Sequence, residues 1–167
     1  MEAVNKLLHE RLFGAKKLAV LGAGSVLRSD DAAGGMIIEA LSRSFEGRKN
    51  SSLLLCDGET APENYSGKIE RFAPTHLLVV DAADVGANPG YVVEIDPRDV
   101  GGPSFCSHML PLRIMLEYLQ QQTGAQVMLL GIQPKSIAFD GDVSEEIRRA
   151  VEAICGAVSQ IIEALPE

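Results

Sequence analysis

The chain has 167 residues, enough for one domain with a continuous core, and 46% of them are hydrophobic, in keeping with a water-soluble globular fold. A formal charge of −8 leaves little basic surface for phosphate contacts and excludes a nucleic-acid binder. No apolar run reaches the roughly 20 residues of a membrane span. The first predicted element is a helix over 2–13, with Val4, Leu7, Leu8 and Leu12 on one face. Charged Glu2, Lys6, Glu10 and Arg11 interrupt it, so it predicts a helical extension over 1–14 rather than an export signal, and a cytoplasmic protein. Lys16–Gly22 predicts a short buried strand, Gly22–Gly35 a polar loop, and Met36, Ile37, Ala40, Leu41 and Phe45 a helix beyond it. Ser52–Asp57 predicts a second strand, and Pro62–Phe72 a helix opened by proline in its first turn.

His76–Ala82 (HLLVVDA) is apolar until its aspartate, which suits a central strand covered on both faces. After an Asn88-Pro89-Gly90 turn, the nearness of Tyr91–Ile95 predicts a hairpin-like antiparallel strand. Leu112, Met115, Leu116 and Leu119 predict a helix over Pro111–Thr123, stopped by Gly124. Gln126–Ile132 is the last predicted strand. Asp142 or Ser144 is expected to cap a final helix whose stripe is Ile147, Val151, Ile154, Val158, Ile161 and Leu165. Strands alternating with helices predict an α/β fold, a three-layer α/β/α sandwich around a mostly parallel sheet, in a single domain over 1–167.

Ligands of such sheets bind beyond the carboxyl ends of the strands. Asp31 in the loop after the first strand, Asp57 ending the second, Asp81 ending the third and His108 before a helix are all expected at that rim. His76 starts its strand and belongs at the opposite edge, and His9 lies on the first helix. Gly22-Ala23-Gly24 has part of a dinucleotide fingerprint, with Asp57 as the ribose-binding acid. Leu27 replaces the third glycine, however, and Asp30-Asp31 place two carboxylates where a pyrophosphate would rest. Cys106-Ser107-His108 puts a thiol near an imidazole, but catalytic thiol and base normally meet through the fold. No G-x-S-x-G elbow is present, so Ser25, Ser29 and Ser107 are expected to be loop residues. Cys56, Cys106 and Cys155 are odd in number and form no C-x-x-C pair, which predicts reduced thiols, with Cys106 a candidate auxiliary metal ligand.

Asp31, Asp81 and His108 together are a sensible ligand set for a divalent transition metal, nickel included. Taken separately, they read as a helix cap, a strand end and a loop histidine. The residues alone leave both readings open.

Five blocks in order, GAGSVLRSDDAAG (Gly22–Gly34), CDGETAPEN (Cys56–Asn64), PTHLLVVDAADVGANPG (Pro74–Gly90), SHMLPL (Ser107–Leu112) and LGIQP (Leu130–Pro134), resemble the [NiFe]-hydrogenase maturation endopeptidases, especially the branch serving formate hydrogenlyase. The resemblance implies a five-stranded twisted sheet, mostly parallel with one antiparallel strand. It also implies removal of a short C-terminal extension from a nickel-loaded large-subunit precursor. On this resemblance Asp31, Asp81 and His108 are the metal-contacting and catalytic residues; the nickel belongs to the precursor, and the enzyme carries no metal cofactor of its own. Two departures stand out: Ser25 replaces an asparagine and Ala32 a glycine, and the missing glycine raises the expectation of a reshaped loop. Two other functions stay open beside the peptidase, a non-catalytic nickel-dependent maturation chaperone and a nucleotide-binding domain.

Overall fold

The computed structural model describes residues 2–48, 50–96, 98 and 109–166, without the side chains of 109–111. Strands Leu18–Gly22 (β1), Leu53–Asp57 (β2), His76–Ala82 (β3), Val92–Ile95 (β4) and Gln126–Ile132 (β5) form one sheet in the order β2-β1-β3-β5-β4. All neighbours are parallel except β4, which runs antiparallel to β5. Helices Glu2–Arg11 (α1), Ala33–Ser44 (α2), Ser66–Phe72 (α3), Met109–Thr123 (α4) and Glu145–Glu163 (α5) cover it.

The two faces of the sheet are read off by the period-two alternation of strand side chains. Leu18, Val20, Leu78, Val80, Met128 and Leu130 point to one core with Ile37 and Leu41 of α2 and Ile147, Ile154 and Val158 of α5. Ala19, Leu21, Leu77, Val79 and Leu129 point to the other, with Ile69 of α3 and Leu116 and Leu119 of α4. Three layers result, as the alternating pattern predicts. The first helix packs onto the fold through one face: Leu8 is fully buried in the first core, and Arg11 is ion-paired with Glu94 of β4 at 2.5 Å. No helix among the described residues is long and apolar enough to cross a membrane.

Three expectations need correction. The strand near Tyr91 does not form a hairpin with β3. Both edges of β3 are taken by β1 and β5, parallel partners that are themselves apolar, and half-buried Val92–Ile95 goes to the sheet edge beside β5. Second, α2 begins at Ala33 rather than near Met36, because a 3-10 turn over Ser29–Ala32 runs directly into it. Third, Pro62 opens a 3-10 turn, Pro62–Tyr65, and the α-helix starts only at Ser66. The cap of α5 is Ser144, whose Oγ accepts the Ile147 N–H at 3.4 Å.

Candidate active site

The chain leaves β1 for β2 on one side, and returns through α3 to β3 on the other. The strand order therefore reverses between β1 and β3, which opens a crevice beyond their carboxyl ends. Gly22 of β1 is in register with Val80 of β3, and Ala23 extends the pairing by donating its N–H to the Val80 carbonyl at 2.9 Å. α2 presses against this point. A Cβ on Gly34 would lie 2.2 Å from the Ala23 oxygen and 2.7 Å from the Val80 oxygen, both backbone atoms of the sheet. Gly34→Ala should therefore destabilise the protein by about 2–3 kcal/mol, because neither neighbour can rotate away. A urea titration checks this. Gly24 has φ +114, and a side chain there would collide with the Asp31 carbonyl. These glycines serve a close helix–strand approach and a tight loop, so the cofactor reading of the glycine run has no support in the geometry.

Asp31 and Asp81 line one cavity of about 380 Å³ at this crevice, with Ala23, Gly24, Ser25, Arg28, Glu59, Thr60, Leu112 and Ile137 among its walls. Asp81, the last acidic residue of β3, is 1% exposed. Neither of its carboxyl oxygens has a hydrogen-bond partner among the described residues. Burial first, and the nearby Asp31 charge second, push its pKa up to about 7. Asp31 sits at the end of the 3-10 turn, and its Oδ2 accepts the Ser25 N–H at 2.8 Å. A pair of carboxylates, one of them desolvated and without a donor, fits a cation arriving from outside.

His108, with Cys106 and Ser107, lies outside the described residues. Among the described residues no group of three His, Cys, Asp or Glu side chains is placed to hold a metal. Asp57 ends β2 as predicted, but its carboxylate accepts the Glu59 N–H at 3.3 Å and lines a neighbouring cavity rather than that of Asp31 and Asp81. His76 is buried at the opposite end of β3, where Nδ1 is 3.0 Å from Thr75 Oγ1, and His9 is on α1. Burial raises the pKa of the Cys56 thiol, and pushes that of Cys155 to about 11; both are free and neither is activated.

Two features escape the sequence. Asp30, fully buried, accepts the N–H groups of Lys135 (2.7 Å), Ser136 (3.1 Å) and Ser144 (2.7 Å) and the Ser144 hydroxyl (2.9 Å). The acidic pair thus divides into an inward anchor and a crevice carboxylate. Glu59 and Arg28, which no motif singled out, reach the same cavity as Asp31. The Ala32 departure is harmless: its φ of −69 is helical, so no glycine is required. The left-handed conformation falls instead on Ser29, φ +43, whose hydroxyl donates to the Ala138 carbonyl at 3.0 Å.

A family model described as hydrogenase maturation protease matches residues 36–161. The chain belongs to the hydrogenase maturation protease family. The hydrogenase 3 maturation protease of Escherichia coli K12 is 35% identical over 136 residues, 81% of this chain and 84% of its own length. The crystal structure of a [NiFe] hydrogenase maturation protease, HycI, from Thermococcus kodakarensis KOD1 superposes with a TM-score of 0.84 at 32% identity, over 94% of this chain and 99% of that one. The E. coli maturating endopeptidase HybD, at 24% identity and TM-score 0.72, shares the fold. This maturation protease is accordingly a peptidase with the family's five-stranded sheet, and the chaperone and nucleotide-binding readings fall away with that assignment.

Proposed function

We propose that this peptidase removes the C-terminal extension of a [NiFe]-hydrogenase large-subunit precursor after nickel is installed, and that Asp31, Asp81 and His108 read the nickel. One observation carries the reading: Asp81 points two oxygens without donors into the cavity that Asp31 also lines. A carboxylate so placed gains more from a cation than a solvated one does, since burial has already removed its water. In the chain, His108 immediately precedes Met109, where α4 begins, and Leu112 on that helix lines the same cavity.

In this reading the nickel is part of the substrate. Two carboxylates and one imidazole from separate elements leave coordination positions for the precursor's own ligands, and discriminate a loaded precursor from an empty one. Nickel supplies Lewis acidity to the scissile carbonyl or to a water, an effect worth several kcal/mol. Asp31, less buried than Asp81 and fixed by the Ser25 amide, is the candidate acceptor of the water's proton. The unpaired thiols of Cys56 and Cys155 support placing the step in the cytoplasm.

The test incubates the protein with apo and nickel-loaded precursor side by side and reads the product by mass spectrometry. Only the loaded precursor should lose its tail. Asp31→Asn and His108→Ala should each slow processing by about 100-fold or more. Equal cutting of both precursors, or wild-type rates in both variants, would remove the nickel-reading role.

A further inference from the structure

Four large apolar side chains stand exposed on the two segments that reach the crevice through Ser25, Arg28 and Ile137: Val26 (66%), Leu27 (57%), Ile137 (42%) and Phe139 (71%). They make up half of the exposed large hydrophobics among the described residues, which marks these two short segments as more than scattered surface. The segments are tied together. The Asp140 N–H donates to the Leu27 carbonyl at 2.9 Å, the Asp30 N–H to the Ser136 carbonyl at 3.1 Å, and the Ser29 hydroxyl to the Ala138 carbonyl. Below them the Asp30 carboxylate accepts from Lys135, Ser136 and Ser144, so the backbone under the patch is fixed before anything binds. Ile137 joins patch to site, because it lines the cavity of Asp31 and Asp81.

We propose that Val26, Leu27, Ile137 and Phe139 form a docking platform for an apolar stretch of the precursor lying next to the peptide bond to be cut. The platform deepens the peptidase reading of the crevice and rests on it. Its continuity with the crevice selects the occupant. A second copy of this chain seated there would close the mouth through which Asp31 and Asp81 meet substrate. Four side chains also fall short of the roughly 1,200 Å² that a stable dimer buries. A segment running from the platform into the cavity uses both at once, and its exposed partners lose water only when the precursor is in place.

The experiment uses the full chain in three forms: wild type, the double variant Leu27→Ser/Phe139→Ser, and Phe13→Ser as an exposed apolar control near the start of β1, at the opposite end of the sheet. Steady-state processing of nickel-loaded, full-length precursor is measured for each. The double variant should raise KM by about tenfold while kcat stays within about twofold, and the control should change neither. An unchanged KM in a double variant with wild-type melting overturns the platform, and so does a fall in kcat alone. If the double variant melts early, Val26→Ser/Phe139→Ser replaces it under the same criteria. Binding of each form to immobilised nickel-loaded precursor separates the two readings. A wild type that binds without cutting sinks the peptidase step, whereas equal Kd for wild type and variant sinks the platform. Sedimentation showing a wild-type dimer that the substitutions dissociate would also overturn it, by assigning the patch to self-association.

Discussion

Asp81→Asn should abolish processing and, at pH 8, make the free protein more stable than wild type. In the folded chain Asp81 keeps its proton up to about pH 7, because burial and the Asp31 charge oppose ionisation; unfolded, it releases the proton near its ordinary value of 3.8. Between those values the native state binds more protons than the unfolded state, so wild-type stability falls as pH rises through this window and stays lowered above it. The full penalty is roughly 4 kcal/mol. The amide that replaces the carboxylate is itself short of partners and returns part of the gain. The expected rise in Tm is therefore about 5–10 °C at pH 8, shrinking to nothing near pH 4. Thermal melts across that range check it, and a difference that does not vary with pH would contradict it. The same proton competes with a cation. The apparent KM for nickel-loaded precursor should rise as pH is lowered from 7 towards 5, by up to about tenfold per unit. A protein that stores a destabilised carboxylate where it meets its substrate shows the usual trade of stability for function.

Asp30→Asn, one residue from the crevice carboxylate, should do the opposite to stability. Asp30 accepts three backbone N–H groups and one hydroxyl, all reaching it from the segment between β5 and the start of α5. An amide in its place carries only one accepting oxygen and turns a donor towards donors. With the amide oxygen in the Oδ2 place, the Ser144 N–H alone is left facing an NH2 group, and the remaining bonds lose their charged acceptor, which together should remove about 2–4 kcal/mol and lower Tm by roughly 5–10 °C. The pH dependence is reversed as well. Burial alone would raise the Asp30 pKa, but the amides of Ser144, Lys135 and Ser136 outweigh it and hold the group below 3.8. Its contribution is complete above the unfolded value and is lost as pH falls through the folded one, so wild type and variant should converge in acid. Urea denaturation at pH 7 and pH 3 reads both effects. Because Lys135 and Ser136 directly precede Ile137, the variant should also bind precursor more weakly.

The strands were legible wherever burial on both faces wrote a continuous apolar run, and β3 and β5 have the bounds their patterns predict. The start of α2 was hidden because Gly34 and Gly35 are poor helix formers, and Gly34 is there for its close approach to the ends of β1 and β3 rather than for propensity. The partner of β4 was illegible for another reason: it lies later in the chain, and nearness in sequence pointed to β3 instead. At the site, Asp31 and Asp81 meet as strand-end reasoning expected, while Asp57, from the same reasoning, turns into the adjacent cavity. Asp30 was beyond reach. Its partners are 105 to 114 residues away, and adjacent aspartates give no sign of which one faces inward.

The position of β5 between β3 and β4 also bears on synthesis. Val92–Ile95 emerges from the ribosome some thirty residues before Gln126–Ile132, its sheet neighbour among the described residues, so for that interval a half-apolar segment lacks the strand it pairs with in the fold. The last central strand is thus also the one that shields the edge, and a nascent chain halted before Gln126 presents β3 and β4 together as unpaired, aggregation-prone edges.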